Sequence, residues 1–131
     1  MNNSLKQKIL IVEDEPILRQ GLEILGDWEE NGLHLIGSAS NGKEALAHME
    51  TECPDIIITD IMMPVMDGLE ATREIRTMNR SDASAVVIIA MTANAFAEDK
   101  SKALKAGMDD YLTKPLESEK LIRALSRYKH N

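Results

Sequence analysis

Two stretches of the chain join a continuous run of branched apolar residues to an acidic ending, and they limit the possible folds more than any other feature. Residues 8–13 are Lys-Ile-Leu-Ile-Val-Glu, and residues 53–60 are Cys-Pro-Asp-Ile-Ile-Ile-Thr-Asp. A strand that buries only one face alternates apolar and polar residues, whereas a strand buried on both faces does not. Both stretches therefore predict buried parallel strands with carboxylates at their carboxyl ends.

Three further strands and five helices complete the pattern. The strands are predicted at residues 33–39, 84–92 and 110–113. Apolar residues at helical spacing predict helices at residues 16–28, 42–51, 69–78, 97–106 and 117–128. In the first helix, the apolar residues that produce this spacing are Ile17, Leu18, Leu22 and Leu25.

The alternation of strands and helices defines the fold class. Buried parallel strands require helices on both faces of the sheet, joined by right-handed crossovers. We expect one α/β domain of (βα)5 type with a doubly wound five-stranded parallel sheet. The domain is predicted to span residues 8–128, with tails at residues 1–7, expected to be disordered, and 129–131.

Polar residues follow four of the five predicted strands. They are Glu13 and Asp14 after the first, Asp60 at the end of the third, Thr92 at the end of the fourth and Lys114 after the fifth. The carboxyl ends of parallel strands meet at one edge, which is where doubly wound sheets bind ligands. Three carboxylates in one pocket repel one another unless a cation is present, and their hard oxygen atoms suit Mg²⁺.

These residues could also carry out phosphoryl chemistry. A carboxylate can attack phosphorus when a metal and a cation neutralise the transferring group. Asp60, Mg²⁺ and Lys114 supply those parts, and a hydroxyl group at Thr92 could bond a phosphoryl oxygen. Taken singly, an Asp or Thr at a strand end is commonly a helix cap or turn residue. Asp67 and Gly68 are interpreted only as a turn and helix start, in which Gly68 supplies backbone freedom.

Composition excludes several other classes. The net charge of −7 and the scattered Lys and Arg residues argue against nucleic-acid binding. The longest apolar runs, residues 9–12 and 85–91, are too short to span a bilayer, and no signal peptide is evident, so we expect no membrane association and a cytoplasmic location. Cys53 is the single cysteine and is interpreted as a small packing residue.

Four segments closely resemble the receiver (CheY-like) domains of two-component response regulators and hybrid sensor histidine kinases. They are Ile-Leu-Ile-Val-Glu-Asp-Glu-Pro at 9–16, the stretch from the Asp-Ile-Ile-Ile-Thr-Asp of 55–60 to Asp67-Gly68, Met-Thr-Ala at 91–93, and Asp-Tyr-Leu-Thr-Lys-Pro at 110–115. The resemblance implies a flavodoxin-like sheet of order 2-1-3-4-5. It also implies a regulatory phosphoacceptor, which catalyses only its own phosphorylation and dephosphorylation, rather than an enzyme.

The resemblance further implies a role for each site residue. Asp60 would accept a phosphoryl group from a histidine kinase or a histidine phosphotransfer domain, and Lys114 and Thr92 would contact that group. By the same resemblance, Mg²⁺ would be held by Glu13, Asp14, Asp60 and the backbone carbonyl of Met62. Thr92 and Tyr111 would form the switch, in which the Tyr111 ring turns inward behind Thr92. The backbone of Met62 and Ala93 would contact the phosphoryl group. The Lys114-Pro115 peptide would be cis.

The output partner would contact the fourth predicted helix, the fifth strand and the fifth helix, and the chain would be a monomer or a phosphorylation-dependent dimer. Glu13 stands where the family more often has Asp, which bears on metal affinity. Residues 27–33 resemble receivers that precede AraC-type DNA-binding domains, whereas residues 91–96 and 107–110 resemble those of hybrid sensor kinases, and both possibilities stay open.

Three alternatives are weaker. A haloacid dehalogenase-type phosphatase needs a second acid two residues after the nucleophile, where Met62 stands. A flavodoxin-like FMN carrier needs a phosphate-binding loop after the first strand, where three acids stand. A receiver that binds partners without phosphorylation would not need the complete site.

Overall fold

The structure is a computed structural model that describes residues 6–25, 28–61, 65–78, 80–92, 97–114 and 116–128. Its five strands are β1 Gln7–Val12, β2 Leu33–Ala39, β3 Ile56–Asp60, β4 Val87–Thr92 and β5 Asp110–Thr113. All neighbouring pairs are parallel, and the sheet order is β2-β1-β3-β4-β5. The predicted order 2-1-3-4-5 is confirmed.

Helices cover both faces of this sheet. Those in the described ranges are α1 Pro16–Leu25, α2 Gly42–Thr51, α3 Gly68–Thr77, the short α4 Ser81–Ala85, α5 Ala97–Ala106 and α6 Ser118–Ser126, with a 3₁₀ turn at Glu29–Asn31. One core cluster joins Leu10, Ile57 and Ile88 to residues of α2, α3 and α5. The other joins Ile9, Ile58 and Met91 to residues of α1 and α6. Successive strand residues thus point to opposite faces, as the doubly wound arrangement requires.

The first helix differs from its prediction in length and orientation. Its described residues are Pro16–Leu25, and Trp28, predicted as its last residue, instead lies in a turn before the 3₁₀ helix and donates its Nε1 proton to the Glu23 carbonyl over 2.8 Å. Ile17, predicted to join the apolar stripe, is 83% exposed, whereas Leu22 is buried. Each helical residue advances about 100°, so Ile17 and Leu22 lie about 140° apart around α1. Ile17 therefore faces away from the buried side of the helix.

The segment before β4 also differs. The predicted strand began at residue 84, but residues Ser81–Ala85 form α4 and the strand begins at Val87. The branched residues that favour strands start only at Val86, while the preceding residues are small. An acidic residue, Asp82, lies in the first turn of α4, where its negative charge is favourable near the positive end of the helix dipole.

The sheet also begins one residue earlier than predicted. Gln7, assigned to the tail, lies in β1, where its amide donates to the Gly32 carbonyl over 3.2 Å. Its side chain donates to the Tyr128 carbonyl over 2.8 Å, which joins the start of the sheet to the end of α6. Cys53 is a half-buried free thiol packed against the core, in agreement with its interpretation. No helix among the described residues has the length and apolar character needed to cross a membrane.

Candidate functional site

The predicted polar residues do converge at the carboxyl edge of the sheet. Glu13 follows β1, Asp60 ends β3, and β1 and β3 are neighbours at the centre of the sheet, where Val12 pairs with Thr59. Glu13 is 1% exposed and Asp60 is 9% exposed. Because these two central strands are buried on both faces, the carboxylates that end them are also largely buried. A buried ionised group needs a partner of opposite charge or hydrogen-bond donors.

Lys114 supplies a cationic partner for both carboxylates. Its Nζ atom lies 2.7 Å from Asp60 Oδ2 and 2.8 Å from Glu13 Oε1. The Lys114 amide donates to the Thr92 carbonyl over 2.8 Å, which fixes the backbone just after β5. The ammonium group is thus held against the nucleophile candidate by the strand ladder as well as by its charge.

Three carboxylates share this pocket. Glu13, Asp14 and Asp60 can each present an oxygen so that the three atoms lie within 4.8 Å of one another. Burial raises the pKa of Glu13 above its ordinary value, because the hydrogen bond from Lys114 only partly offsets the loss of water. The site therefore holds more negative charge than one lysine balances, and its oxygen atoms are those that a hard divalent cation prefers.

Lys114 itself remains charged. Burial alone would lower its pKa, but the hydrogen bonds to Asp60 and Glu13 outweigh that effect and raise the pKa above the ordinary lysine value. A permanently charged ammonium group beside a carboxylate can neutralise oxygen atoms of a transferring phosphoryl group.

The backbone of Asp60 is held from the other side by the start of α3. The Gly68 amide donates to the Ile61 carbonyl over 3.0 Å, and a Cβ atom at residue 68 would clash with the Asp60 carbonyl oxygen. Asp67 caps α3 by accepting from the Glu70 amide over 2.8 Å, so the predicted helix start is confirmed.

The stated reason for glycine at residue 68 was wrong. Gly68 is not among the described residues with a positive φ, so backbone freedom is not what it supplies. The close approach of α3 to β3 requires the absence of a side chain at residue 68. The Asp-Gly pair looks the same in either case, which is why sequence reasoning missed this role.

The other predicted residues are located as follows. Thr92 is 7% exposed at the end of β4, and Asp14 is half-buried beside Glu13. Tyr111 lies in β5, half-buried, and pairs in register with Ala90. Met62, Ala93 and Pro115 lie outside the described residues, and so does the predicted cis peptide.

Two features beside the site were not predicted. Arg19 in α1 donates to the Glu13 carbonyl over 2.8 Å and so anchors the acidic loop to that helix. A cavity of about 510 Å³ is lined by Glu13, Lys114 and apolar residues that include Ile17, Leu18 and Leu116. The site therefore adjoins an open apolar surface that carries the exposed Ile17.

Comparison with known proteins gives consistent results. The chain is 37% identical over 128 residues to a 14.6 kDa protein of Leptolyngbya boryana, covering 98% of this chain and 94% of that protein. It is 36% identical over 118 residues to the transcriptional regulatory protein YesN of Bacillus subtilis, covering 90% of this chain but only 31% of YesN.

A solved structure shows the same fold with a metal ion. The receiver domain of a sensor histidine kinase from Pseudomonas aeruginosa, crystallised with magnesium coordinated in its active site cleft, superposes with a TM-score of 0.80 at 38% identity, covering 94% of this chain and 97% of that one. The family model for the response regulator receiver domain matches residues 9–126. This chain therefore belongs to the response regulator receiver domain family, the regulatory receiver modules of two-component systems.

Proposed function

We propose that Asp60 is the phosphoacceptor of this receiver and that the modification changes which partner the domain binds. The observation that carries the proposal is the Lys114 ammonium group, which lies 2.7 Å from Asp60 Oδ2 within a cluster of three carboxylates. A carboxylate oxygen beside a fixed cation is the arrangement that attack on phosphorus requires.

In the proposed step, an Asp60 carboxylate oxygen attacks the phosphorus atom of a phosphohistidine. An oxygen–phosphorus bond forms, the phosphorus–nitrogen bond breaks, and its electron pair stays on the imidazole nitrogen of the donor. Lys114 neutralises phosphoryl oxygens as negative charge redistributes. The donor is a histidine kinase or a histidine phosphotransfer domain.

The donor set fits Mg²⁺, the ion that is coordinated in the active site cleft of the Pseudomonas receiver. Glu13, Asp14 and Asp60 would hold the ion, with Met62 offering its backbone carbonyl, and hard oxygen ligands with room for water are the ligands that Mg²⁺ prefers. When bound, the ion would neutralise charge on the transferring group. The longer side chain at Glu13 keeps an oxygen within 4.8 Å of the other two acids, so its difference from the usual Asp is compatible with metal binding.

The switch would run from Thr92 to Tyr111. The Thr92 hydroxyl group would bond the phosphoryl group, and the Tyr111 ring would turn inward behind it, which changes the surface formed by α5, β5 and α6. A phosphoryl group shifts a two-state equilibrium of this kind by binding one state better. Tyr111→Ala should therefore leave phosphorylation largely intact and weaken the output contact on this surface, and an unchanged partner affinity would count against the switch.

The test of the phosphoacceptor is intact mass after incubation with acetyl phosphate and Mg²⁺. We expect the wild-type chain to gain one phosphoryl group, and Asp60→Asn and a sample with a chelator to gain none. Modification of Asp60→Asn at the wild-type rate would refute the assignment. No gain in the wild type, even with a phosphorylated kinase as donor, would favour a receiver that binds partners without phosphorylation.

A further inference from the structure

Lys100 of α5 lies against the ring of Tyr111 in β5. Its Nζ atom is 4.6 Å from the ring centroid, inside the range of about 6 Å over which a cation and an aromatic face attract each other. Both side chains are half-buried, so the contact is only partly exposed to water. The one aromatic ring proposed to move in the switch therefore carries a specific cationic contact.

The contact depends on where the ring is. The Tyr111 ring packs against the core cluster of α2, α3 and α5, and Tyr111 also lines the surface groove between β5 and α6. Tyr111 is half-buried, so part of the residue is still exposed to solvent in this position. Side chains move between rotamers about 120° apart, and such a rotation carries a tyrosine ring through several ångströms. The movement would take the ring out of reach of an ammonium group that stays in place.

We infer that Lys100 sets the threshold of the switch, because its contact stabilises the present ring position and opposes the inward one. The inference rests on the proposed function, and it names a regulating residue for the same site. A cation–π contact at a partly exposed position corresponds to about a two- to fivefold bias between the two ring positions. By linkage, whatever opposes the inward ring also weakens binding of the phosphoryl group that favours it, by the same factor.

Two residues of the chain provide matched variants. Lys100→Met keeps the length of the side chain and removes the charge, while Lys100→Arg keeps a cation that can lie over the ring. Lys102 is an exposed lysine two residues further along α5, about 200° around the helix from Lys100, so Lys102→Met removes the same charge away from the ring.

The first measurement establishes the contact itself by NMR. A proton above an aromatic ring resonates upfield, so the Lys100 Hε signals should lie upfield of those of Lys102. The shift should persist in Tyr111→Phe and disappear in Tyr111→Leu. In the wild type it should also disappear when beryllium fluoride and Mg²⁺ are added, because that adduct imitates the acyl phosphate.

The second measurement is the apparent affinity for beryllium fluoride in the presence of Mg²⁺. Lys100→Met should bind about two- to fivefold more tightly than the wild type, and Lys100→Arg and Lys102→Met should stay close to it. The direction discriminates, since loss of a positive charge would by itself weaken binding of an anion. Equal affinity in Lys100→Met, an equal gain in Lys102→Met, or a Lys100 shift that survives the adduct would overturn the inference.

Intact mass after acetyl phosphate treatment of the same samples separates the two possible failures. If the wild type is modified at Asp60 but Lys100→Met binds the adduct no more tightly, the role of Lys100 is wrong and the phosphoacceptor stands. If the wild type takes no phosphoryl group from acetyl phosphate or from a kinase, the proposed function fails and the inference fails with it.

Discussion

The two edges of the sheet both carry acids and bases, but they use them differently. At the amino edge, Asp55 accepts from the Lys8 amide over 2.7 Å, and Asp109 accepts from the Ile88 amide over 2.9 Å and from Arg76 over 2.8 Å. Each of these carboxylates is matched by donors that hold the strands and loops together. At the carboxyl edge, three carboxylates surround one ammonium group, and that excess of negative charge is what a divalent cation can neutralise.

Cavity volume alone would favour the amino edge as the functional one. The amino edge has the larger cavity, about 820 Å³, lined by the starts of β1 and β4 and the end of α2, whereas the cavity lined by Glu13 and Lys114 has about 510 Å³. In the larger one, Arg80 pairs with Asp82 over 2.7 Å and donates to the Met49 carbonyl over 3.0 Å. The charge of Arg80 is therefore balanced by Asp82. The comparison shows that unbalanced charge identifies this functional edge better than volume does.

The largest expected effect is at Lys114. Lys114→Met should slow modification by acetyl phosphate and Mg²⁺ by roughly 10²- to 10³-fold, the usual loss when a charge-stabilising donor is removed. Mg²⁺ affinity should rise, because the competing cation between the carboxylates is gone. Mass spectrometry follows the first effect and isothermal titration calorimetry the second, and a rate within tenfold of the wild type would erase the distinction between the edges.

At the amino edge, substitutions should change the stability of the chain rather than its modification rate. Arg76 donates to the carbonyls of Gly107 and Val86 over 2.9 and 2.7 Å as well as to Asp109. Arg76→Met should lower the free energy of unfolding in urea by about 2–3 kcal/mol, because charge-assisted hydrogen bonds are lost. Arg73→Met, an exposed neighbour on α3, is the matched control and should change stability by less than about 0.5 kcal/mol. A fall in the modification rate of folded Arg76→Met would show that the edges are coupled.

Two helical glycines sharpen the role of close packing at the carboxyl edge. Gly68→Ala should destabilise the chain by about 1–3 kcal/mol and slow modification, since the new methyl group meets the Asp60 backbone. At Gly21 of α1, nothing lies within 4 Å of an added Cβ, and Gly21→Ala should stabilise by about 0.5–1 kcal/mol. Urea unfolding compares them, and equal effects would mean that α3 can move away from β3 at little cost.

The smallest effect concerns pH and metal. Because the pKa of Glu13 is raised in the metal-free fold, its contribution to stability is present below the ordinary carboxyl value of 4.5 and is lost as pH rises through the raised pKa. Mg²⁺ binds ionised carboxylates, so its stabilising effect should grow from pH 5 to pH 7, reaching about 1.4 kcal/mol at tenfold excess over Kd. Thermal melts with Mg²⁺ or with choline chloride at equal ionic strength measure it. A metal effect that does not depend on pH would place the ion elsewhere.

The sequence predicted the central strands and the clustering of the acids that follow them, because the same two stretches of chain contain both. Uninterrupted apolar runs identify strands buried on both faces, and the acids that end them must then lie at one edge. The segment of Ser81–Ala85 and the outward position of Ile17 were harder to predict. A short helix of small residues has no periodicity to detect, and apolar residues at helical spacing do not show that Ile17 and Leu18 face outward while Leu22 is buried.

The hydrogen bond from Lys114 to Glu13 joins residues 101 positions apart, close to the two ends of the domain. Neither half of the chain contains a working site, so a nascent chain cannot hold this charge cluster until Lys114 has left the ribosome and β5 has joined the sheet. If Asp60 is the phosphoacceptor that we propose, the ability to accept phosphate appears late in synthesis and all at once. Any truncated product that ends before β5 would be silent in signalling even if its central strands had already paired.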